Sequence, residues 1–431
     1  MMNVFKKFIK YVSSSVLGMV GFSLYILADT FFISNKLGAD GLTALNLALP
    51  AFNVFMGFSM MIAVGGATRY TILKMQDESK KNQAFVTACL MQLVIAVGFV
   101  LVGIFASEPL ARLLGAKGKI VPMTATYNRV LFIFTPLFVV ENMVNAFTRN
   151  DGAPRRAMIA MLAASASNIV MDYVLIFVFE LGLFGAALAT GIAPFFAALV
   201  CLTRKKGFSL KAKAAVSEIA GIIKTGFAAL VNEWAGTVVM LTYNFLILAV
   251  SGNTGVAAYG IIANIALVMT AIFSGIAQGS QPLISEYYAT GDTACYRRVK
   301  RYCITTALLV SAVAYVAFYF GAEGIAGIFN SEHNSTLQEL AVSGMRLYFW
   351  GYFFAGINVF LVNSMAASER GVKSAVLSII RGMAAVVFWA ILLSKFFGMN
   401  GIWLSMGCAE ALTFVIIIIW WLVDKCRSHK I

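Results

Sequence analysis

Long apolar stretches alternate with short polar segments along all 431 residues of the chain. A run of about 20 apolar residues is long enough to cross the hydrocarbon core of a bilayer as a helix. Charged residues, or clusters of glycine, proline and asparagine, bound these runs. The pattern predicts twelve membrane-spanning helices, at residues 12–34, 44–72, 84–106, 123–147, 156–179, 183–203, 222–250, 257–289, 300–320, 340–366, 373–397 and 401–424.

The composition agrees with a membrane protein. Hydrophobic residues make up 60% of the chain and charged residues 12%, whereas soluble domains have about 25% charged residues. Such a chain cannot cover a water-soluble surface, which excludes a cytosolic enzyme, a disordered regulator and a nucleic-acid binder despite the net charge of +14. The first apolar run is too long for a cleaved signal peptide and contains Asp29, so it is predicted to be the first span.

Lysine and arginine indicate the orientation. With the N-terminus inside, the inner segments carry 26 basic residues and the outer segments carry 5. This bias predicts an inner (plasma) membrane protein with both termini in the cytoplasm. The strongest basic segment, from Arg204 to Lys224, includes a predicted cytoplasmic linker (207–224). That linker either contacts anionic headgroups or is a solvated connector.

The two halves of the sequence resemble each other. Gly38 and Gly65 correspond to Gly252 and Gly279 at one offset of 214 residues. Each half has six spans, an even number, so both copies have the same orientation. We therefore predict an all-α integral membrane protein with two parallel six-helix lobes, 1–206 and 225–431. This plan is typical of transporters, although channels also contain repeats.

Ionisable residues within predicted spans are functional candidates because burying a charge in hydrocarbon is costly. A packing role is the alternative for each, and it is preferred for three residues near inner helix ends, Arg69, Glu286 and Arg381. The other candidates are Asp29, Glu141, Asp172, Glu233 and Glu410.

Four oxygen-bearing side chains are predicted at one depth of the first lobe. Asn168 and Asp172, four residues apart, share a helix face. Asp172 and Thr190 each lie nine residues from the turn near residue 181, roughly 13 Å along their helices. Asp29 lies equally far from the first outer turn. Whether Asp29 faces Asp172 does not follow from depth.

Two carboxylates in a dry pocket cannot both remain ionised without a counter-charge. A proton can satisfy the pair, and so can a small hard cation bound by oxygen ligands. A cationic substrate at the same acids would compete with either ion, which is the physical basis of antiport. The second lobe has Tyr243, Val387 and Ile391 at the repeat positions of the cluster, so coupling is predicted in the first lobe.

Polar and aromatic residues surround the predicted cluster. Tyr25 is one helical turn from Asp29, and Glu141 and Asn145 share a face of the fourth span. Met161 lies two turns from Asn168. With 35 Phe, 15 Tyr and 20 Met in the chain, we expect a cavity of rings and thioethers that binds flat cations.

The motifs resemble the multidrug and toxic compound extrusion (MATE) family. The similarity is carried by the first-span pattern 28–32, the run 168–173 and the glycine-rich segment 182–187 that follows it. The resemblance implies a V-shaped, two-lobed exporter of cationic or amphiphilic drugs, driven by sodium or proton influx.

In the DinF-like branch of that family, the coupling site has the same four residue types at the same spans. The resemblance therefore implies proton or Na⁺ coupling at Asp29, Asn168, Asp172 and Thr190. Tyr25, Asn145 and Met161 match drug-contact positions of that branch, and Glu141 is added as a neighbour on the same helix face. Glu233 is either a further acidic contact for a cation or a packed glutamate. This first span lacks the proline that bends it in some relatives.

Two other functions are compatible with parts of the pattern. A lipid-linked sugar flippase of the same superfamily would share the fold but would need a basic cavity for a pyrophosphate. An intramembrane aspartyl enzyme would use Asp29 and Asp172, but its glycine motifs are not found. We therefore expect a monomeric transporter without catalytic residues or a cofactor other than the coupling ion. Its partners would be drug-like cations and membrane lipids, not nucleic acid.

Overall fold

The structure is a computed structural model that describes residues 4–203, 207–329, 334–368 and 370–428. Its described residues form helices and connecting turns, without a β-strand. This arrangement satisfies the backbone polar groups within each segment, as a bilayer requires.

Within the described residues, ten helices are long and apolar enough to cross a membrane, and a bent helix pair adds an eleventh. The first lobe contains α1 (Val4–Gly38), α2 (Thr43–Gln76), α3 (Glu78–Phe105), α4 (Ile120–Ile133 and Thr135–Asn150, bent by 50°), α5 (Pro154–Val178) and α6 (Gly182–Leu202). The second lobe begins with α7 (Val216–Gly252), α8 (Thr254–Ala289), α9 (Thr293–Gly327) and α10 (Ser335–Ala367).

The last apolar stretch, Gly371–Leu422, has 52 residues, or about 78 Å of helix, far more than one bilayer thickness. Gly398 interrupts it with non-helical angles (φ 55°, ψ −128°). The break divides the stretch into α11 (371–397) and α12 (399–422). The predicted all-α fold with twelve spans in two lobes is confirmed.

Corresponding turns of the two lobes have the same backbone conformation. Gly38 joins α1 to α2 at φ 61° and ψ −150°, and Gly252 joins α7 to α8 at φ 61° and ψ −155°. This region of backbone space is accessible to little besides glycine. The repeat in the sequence therefore encodes a repeated turn.

The lobes contact each other along α2 and α7, where Gly65 and Gly226 bring the backbones together. A Cβ on Gly65 would lie 2.1 Å from the Ile222 carbonyl oxygen. We call the membrane face where α1 begins, with the loops after α2, α4, α6, α8 and α10, the basic face. Near it, Lys7 of α1 forms an ion pair with Glu286 of α8 at 3.0 Å, so the lobes are joined at this face.

The linker between the lobes packs on the basic face of the first lobe. The Gly207 N–H donates to Asp151 Oδ2 at 2.8 Å, and the Phe208 ring is buried against Phe85. Helix α7 already begins at Val216, within the predicted linker. The basic residues 204–206 lie outside the described residues.

Candidate functional site

A cavity of ≈ 390 Å³ lies mainly in the first lobe and is bordered by the second. Helices α1, α2, α4, α5 and α6 provide most of its wall. The second lobe contributes Glu233 of α7 and Leu267 and Gln278 of α8. Its size and largely apolar lining with a few polar groups are typical of small-molecule sites.

Three residues of the predicted polar cluster line this cavity: Asp29, Asn168 and Thr190. In the amide orientation that satisfies its hydrogen bonds, Asn168 Nδ2 donates to Asp172 Oδ2 at 3.0 Å. Asn168 Oδ1 then accepts from the Thr190 N–H and hydroxyl, each at 3.3 Å. The i, i+4 spacing on α5 and the antiparallel packing of α6 thus bring three of the four predicted residues into direct contact.

Asp29 of α1 completes the cluster and interacts electrostatically with Asp172. Asp29 is 8% exposed and Asp172 is 0% exposed. The Oδ1 atom of each carboxylate has no hydrogen-bond partner among the described residues. Unpartnered carboxylate oxygens are costly to bury, so this arrangement suits a proton or a small cation bound between the two acids.

The members of the cluster differ in access to the cavity. Asp29, Asn168 and Thr190 line it, whereas Asp172 is not among the lining residues and lies behind Asn168. A molecule in the cavity would therefore contact Asp29, Asn168 and Thr190 directly, but it would not contact Asp172.

All five residues predicted to contact substrate line the same cavity: Tyr25, Glu141, Asn145, Met161 and Glu233. Tyr25 interacts electrostatically with Asp29, Glu141 and Glu233. The two glutamates come from different lobes, so the acidic character of the cavity does not depend on Asp29 alone.

Aromatic rings and thioethers form much of the remaining wall. Phe22 contacts Tyr25 edge to face at 5.0 Å between ring centroids, and Phe52 contacts Phe138 in the same way at 5.0 Å. Three further methionines line the cavity: Met19, Met56 and Met60. Such a surface attracts cations through the ring faces and adapts to differently shaped ligands.

Two polar residues of this site were missed from the sequence. Tyr127 lines the cavity and interacts electrostatically with Asp29. It lies within the predicted fourth span, so its distance from the helix end could have identified it in the same way as Asp29. The predicted fourth span ends at residue 147 and leaves Arg149 in the following loop, but α4 continues to Asn150, and Arg149 is 4% exposed. Arg149 Nη1 donates to Gln278 Oε1 of the second lobe at 2.9 Å.

The buried polar residues of the second lobe form other contacts. The Tyr243 hydroxyl is within 2.9 Å of Ser405 Oγ in a buried tyrosine cluster. Glu410 forms an ion pair with Arg381 at 2.9 Å, and Asn358 Nδ2 donates to its Oε2 at 2.7 Å.

The three residues assigned to packing all form ion pairs. Arg381 pairs with Glu410, Glu286 with Lys7, and Arg69 with Glu218 at 2.8 Å. These charges are therefore neutralised by neighbouring helices.

Comparisons with known proteins agree with this architecture. The sequence profile described as MatE matches residues 15–174 and 229–391. The multidrug export protein MepA of Staphylococcus saprophyticus is 28% identical over 438 residues, covering 99% of this chain and 96% of that protein. MepA of Staphylococcus aureus is 27% identical over 419 residues, covering 95% and 91%.

Solved structures show the same fold. A multidrug resistance MATE family transporter in an outward-facing conformation has a TM-score of 0.93 at 21% identity, covering 100% of this chain and 98% of that one. A MOP superfamily transporter from Pyrococcus furiosus, described as having a binding pocket of reverse polarity, has a TM-score of 0.91 at 21% identity, covering 98% and 96%. Since the profile matches most of the sequence and the fold agrees along its whole length, the chain belongs to the MatE family.

Proposed function

We propose that this multi-pass membrane protein is a secondary active multidrug exporter that exchanges cationic or amphiphilic compounds for Na⁺ or H⁺. The chain is a transporter and not an enzyme. The multidrug export proteins to which it is similar along nearly their whole length support this substrate class.

The observation that carries the proposal is that a candidate substrate site and a candidate ion site adjoin each other at one cavity. A wall of aromatic rings, thioethers and three acids (Asp29, Glu141 and Glu233) adjoins a buried carboxylate pair. Asp29 belongs to both. A cation in the cavity and an ion at the pair therefore compete for the same negative charge, and exchange follows if the lobes rearrange only when one of them is bound.

The polarity of the cavity argues against a lipid-linked sugar as substrate. A pyrophosphate needs converging cations, but three lining residues are acidic and Arg149 is the one basic residue among the described lining residues. Cations fit this charge distribution better than anions do.

The proposed orientation places both termini in the cytoplasm and the protein in the plasma membrane. The basic face carries Lys7, Lys74 and most other lysines and arginines, which follows the positive-inside rule.

Transport in proteoliposomes tests the proposal. Efflux of a fluorescent organic cation is measured with the sodium and pH gradients imposed separately. Asp29→Asn and Asp172→Asn are each expected to abolish gradient-driven transport while preserving expression. Asp40→Asn is the matched control, because Asp40 is a surface residue paired with Lys119 at 2.6 Å. Gradient-driven transport at the wild-type rate in either cavity variant would refute coupling by this pair.

A further inference from the structure

A second cavity of ≈ 240 Å³ lies at the basic-face end of the second lobe. The start of α9, the end of α10, the start of α11 and the end of α12 surround it. Three cations line it: Lys300, Arg370 and Lys373. The pocket is far along the chain from the transport site, and the proposed function does not use it.

The pocket has two chemically distinct parts. Tyr296, Trp420 and the three cations form the part nearest the basic face, while Ile304, Leu361, Phe414 and Ile417 extend it towards the middle of the membrane. Lys300 Nζ lies 5.6 Å from the centroid of the Tyr296 ring, and Lys373 Nζ lies 6.0 Å from that of Trp420. These aromatic contacts hold the lysine side chains beside the pocket.

One further group is suited to an anion. Ser364 lines the pocket and is 3% exposed, yet its hydroxyl has no hydrogen-bond partner among the described residues. A phosphate oxygen in the pocket would accept a hydrogen bond from this hydroxyl.

We propose that this pocket binds an anionic phospholipid of the leaflet at the basic face. The shared chemistry is a phosphate anion, and the lipid is favoured over free phosphate because apolar residues continue the pocket into the membrane. Ile418 and Trp421, which also line it, are 40% and 59% exposed at the perimeter of the bundle, where acyl chains lie. Basic pockets between helix ends bind anionic headgroups in this way.

The bound lipid would join all four helices α9 to α12 at one face. The start of α11 packs closely on α7, because a Cβ on Gly371 would lie 2.1 Å from the Lys224 carbonyl oxygen. The Ser285 hydroxyl of α8 donates to the Ala367 carbonyl at 3.2 Å. The pocket is therefore attached to the helices that form the second-lobe side of the transport cavity.

Lipid titration of the purified, delipidated full-length protein, followed by native mass spectrometry, tests the proposal. The triple variant Lys300→Gln, Arg370→Gln and Lys373→Gln is expected to bind phosphatidylglycerol on the order of 100-fold more weakly than the wild type. The matched control replaces Arg297, Arg298 and Arg301 by glutamine. It removes the same charge from the same face, and these residues do not line the pocket.

A second variant keeps the test decisive if the triple variant folds poorly. Ser364→Ala removes only the unpartnered hydroxyl and is expected to weaken phosphatidylglycerol binding about 2- to 10-fold. Phosphatidylcholine should bind all variants alike. Equal loss in the control variant, no loss in the triple variant, or displacement of phosphatidylglycerol by millimolar inorganic phosphate would overturn the proposal.

Discussion

The buried ion pair between Arg381 and Glu410 provides a test of how the second lobe is stabilised. The Glu410 side chain is 1% exposed and the Arg381 side chain 15% exposed. Besides accepting from Arg381, the carboxylate accepts from Asn358 at 2.7 Å. Arg381→Met removes the counter-charge and leaves an ionised carboxylate with one neutral donor. Breaking a buried pair in this way costs about 3–5 kcal/mol.

The double variant Arg381→Met/Glu410→Met is expected to recover most of that loss. Neither charge then has to be buried, and apolar replacements of similar volume are often neutral or stabilising. Asn358 keeps a partner, because its Nδ2 also donates to the backbone carbonyl of residue 410 at 2.8 Å. We expect the double variant to lie within about 1 kcal/mol of the wild type and the coupling energy to exceed about 2 kcal/mol.

Reversible unfolding in mixed micelles of increasing sodium dodecyl sulfate fraction, monitored by circular dichroism, measures these free energies. Gradient-driven transport is measured in parallel. Because coupling is assigned to the first lobe, the double variant should still transport. A single variant Arg381→Met as stable as the wild type, or a double variant no more stable than the single, would refute the stability argument. Complete loss of coupling in a stable double variant would place coupling in the second lobe.

Three further predictions concern other parts of the molecule. Glu233→Gln should slow transport of organic cations more than that of neutral compounds, because it removes a negative charge from the cavity; an equal effect on both, in competition assays, would assign Glu233 to packing. Burial alone would raise the pKa of the Asp151 carboxyl, but hydrogen bonds from Lys74, Gly207 and Tyr70 lower it below its ordinary value. The stabilising contribution of the ionised carboxylate should therefore be complete above about pH 5 and be lost as the pH falls below about 4. In thermal melting, Asp151→Asn should be less stable than the wild type at pH 7. The two proteins should be indistinguishable at the lowest pH that the protein tolerates. Gly252→Ala should lower the free energy of unfolding by about 1–3 kcal/mol. No atom lies within 4 Å of the added Cβ, but a φ of 61° and a ψ of −155° are strained for alanine. An unchanged free energy of unfolding would show that the turn relaxes.

The cavity brings together residues whose sequence separation exceeds 200. Tyr25 and Glu233 line one wall although they belong to different lobes. The close approach of Gly65 and Gly226 holds α2 against α7, and the cavity occupies the space beside that contact. Small residues at helix interfaces are the usual means of bringing membrane helices together, since lipid provides no hydrophobic driving force.

The sequence by itself determined the helices, their number and the depth of their polar residues. Burial in lipid forces every span to be helical, and a fixed rise per residue converts distance from a turn into depth. The repeated glycines, seen at Gly38 and Gly252, likewise identified the turns. The apolar pattern missed the last turn of α4 because Arg149 looked like a loop residue; its neutral partner, Gln278, comes from the other lobe.

The tertiary structure decided which polar groups face one another. Depth along a helix does not fix rotation about its axis, and that rotation depends on side-chain packing between helices. Only packing shows that Asp29 interacts with Asp172, that Tyr127 interacts with Asp29 and that Arg381 neutralises Glu410. The basic pocket at the ends of α9 to α12 also arises this way, because four helix ends distant in sequence meet only in the folded lobe.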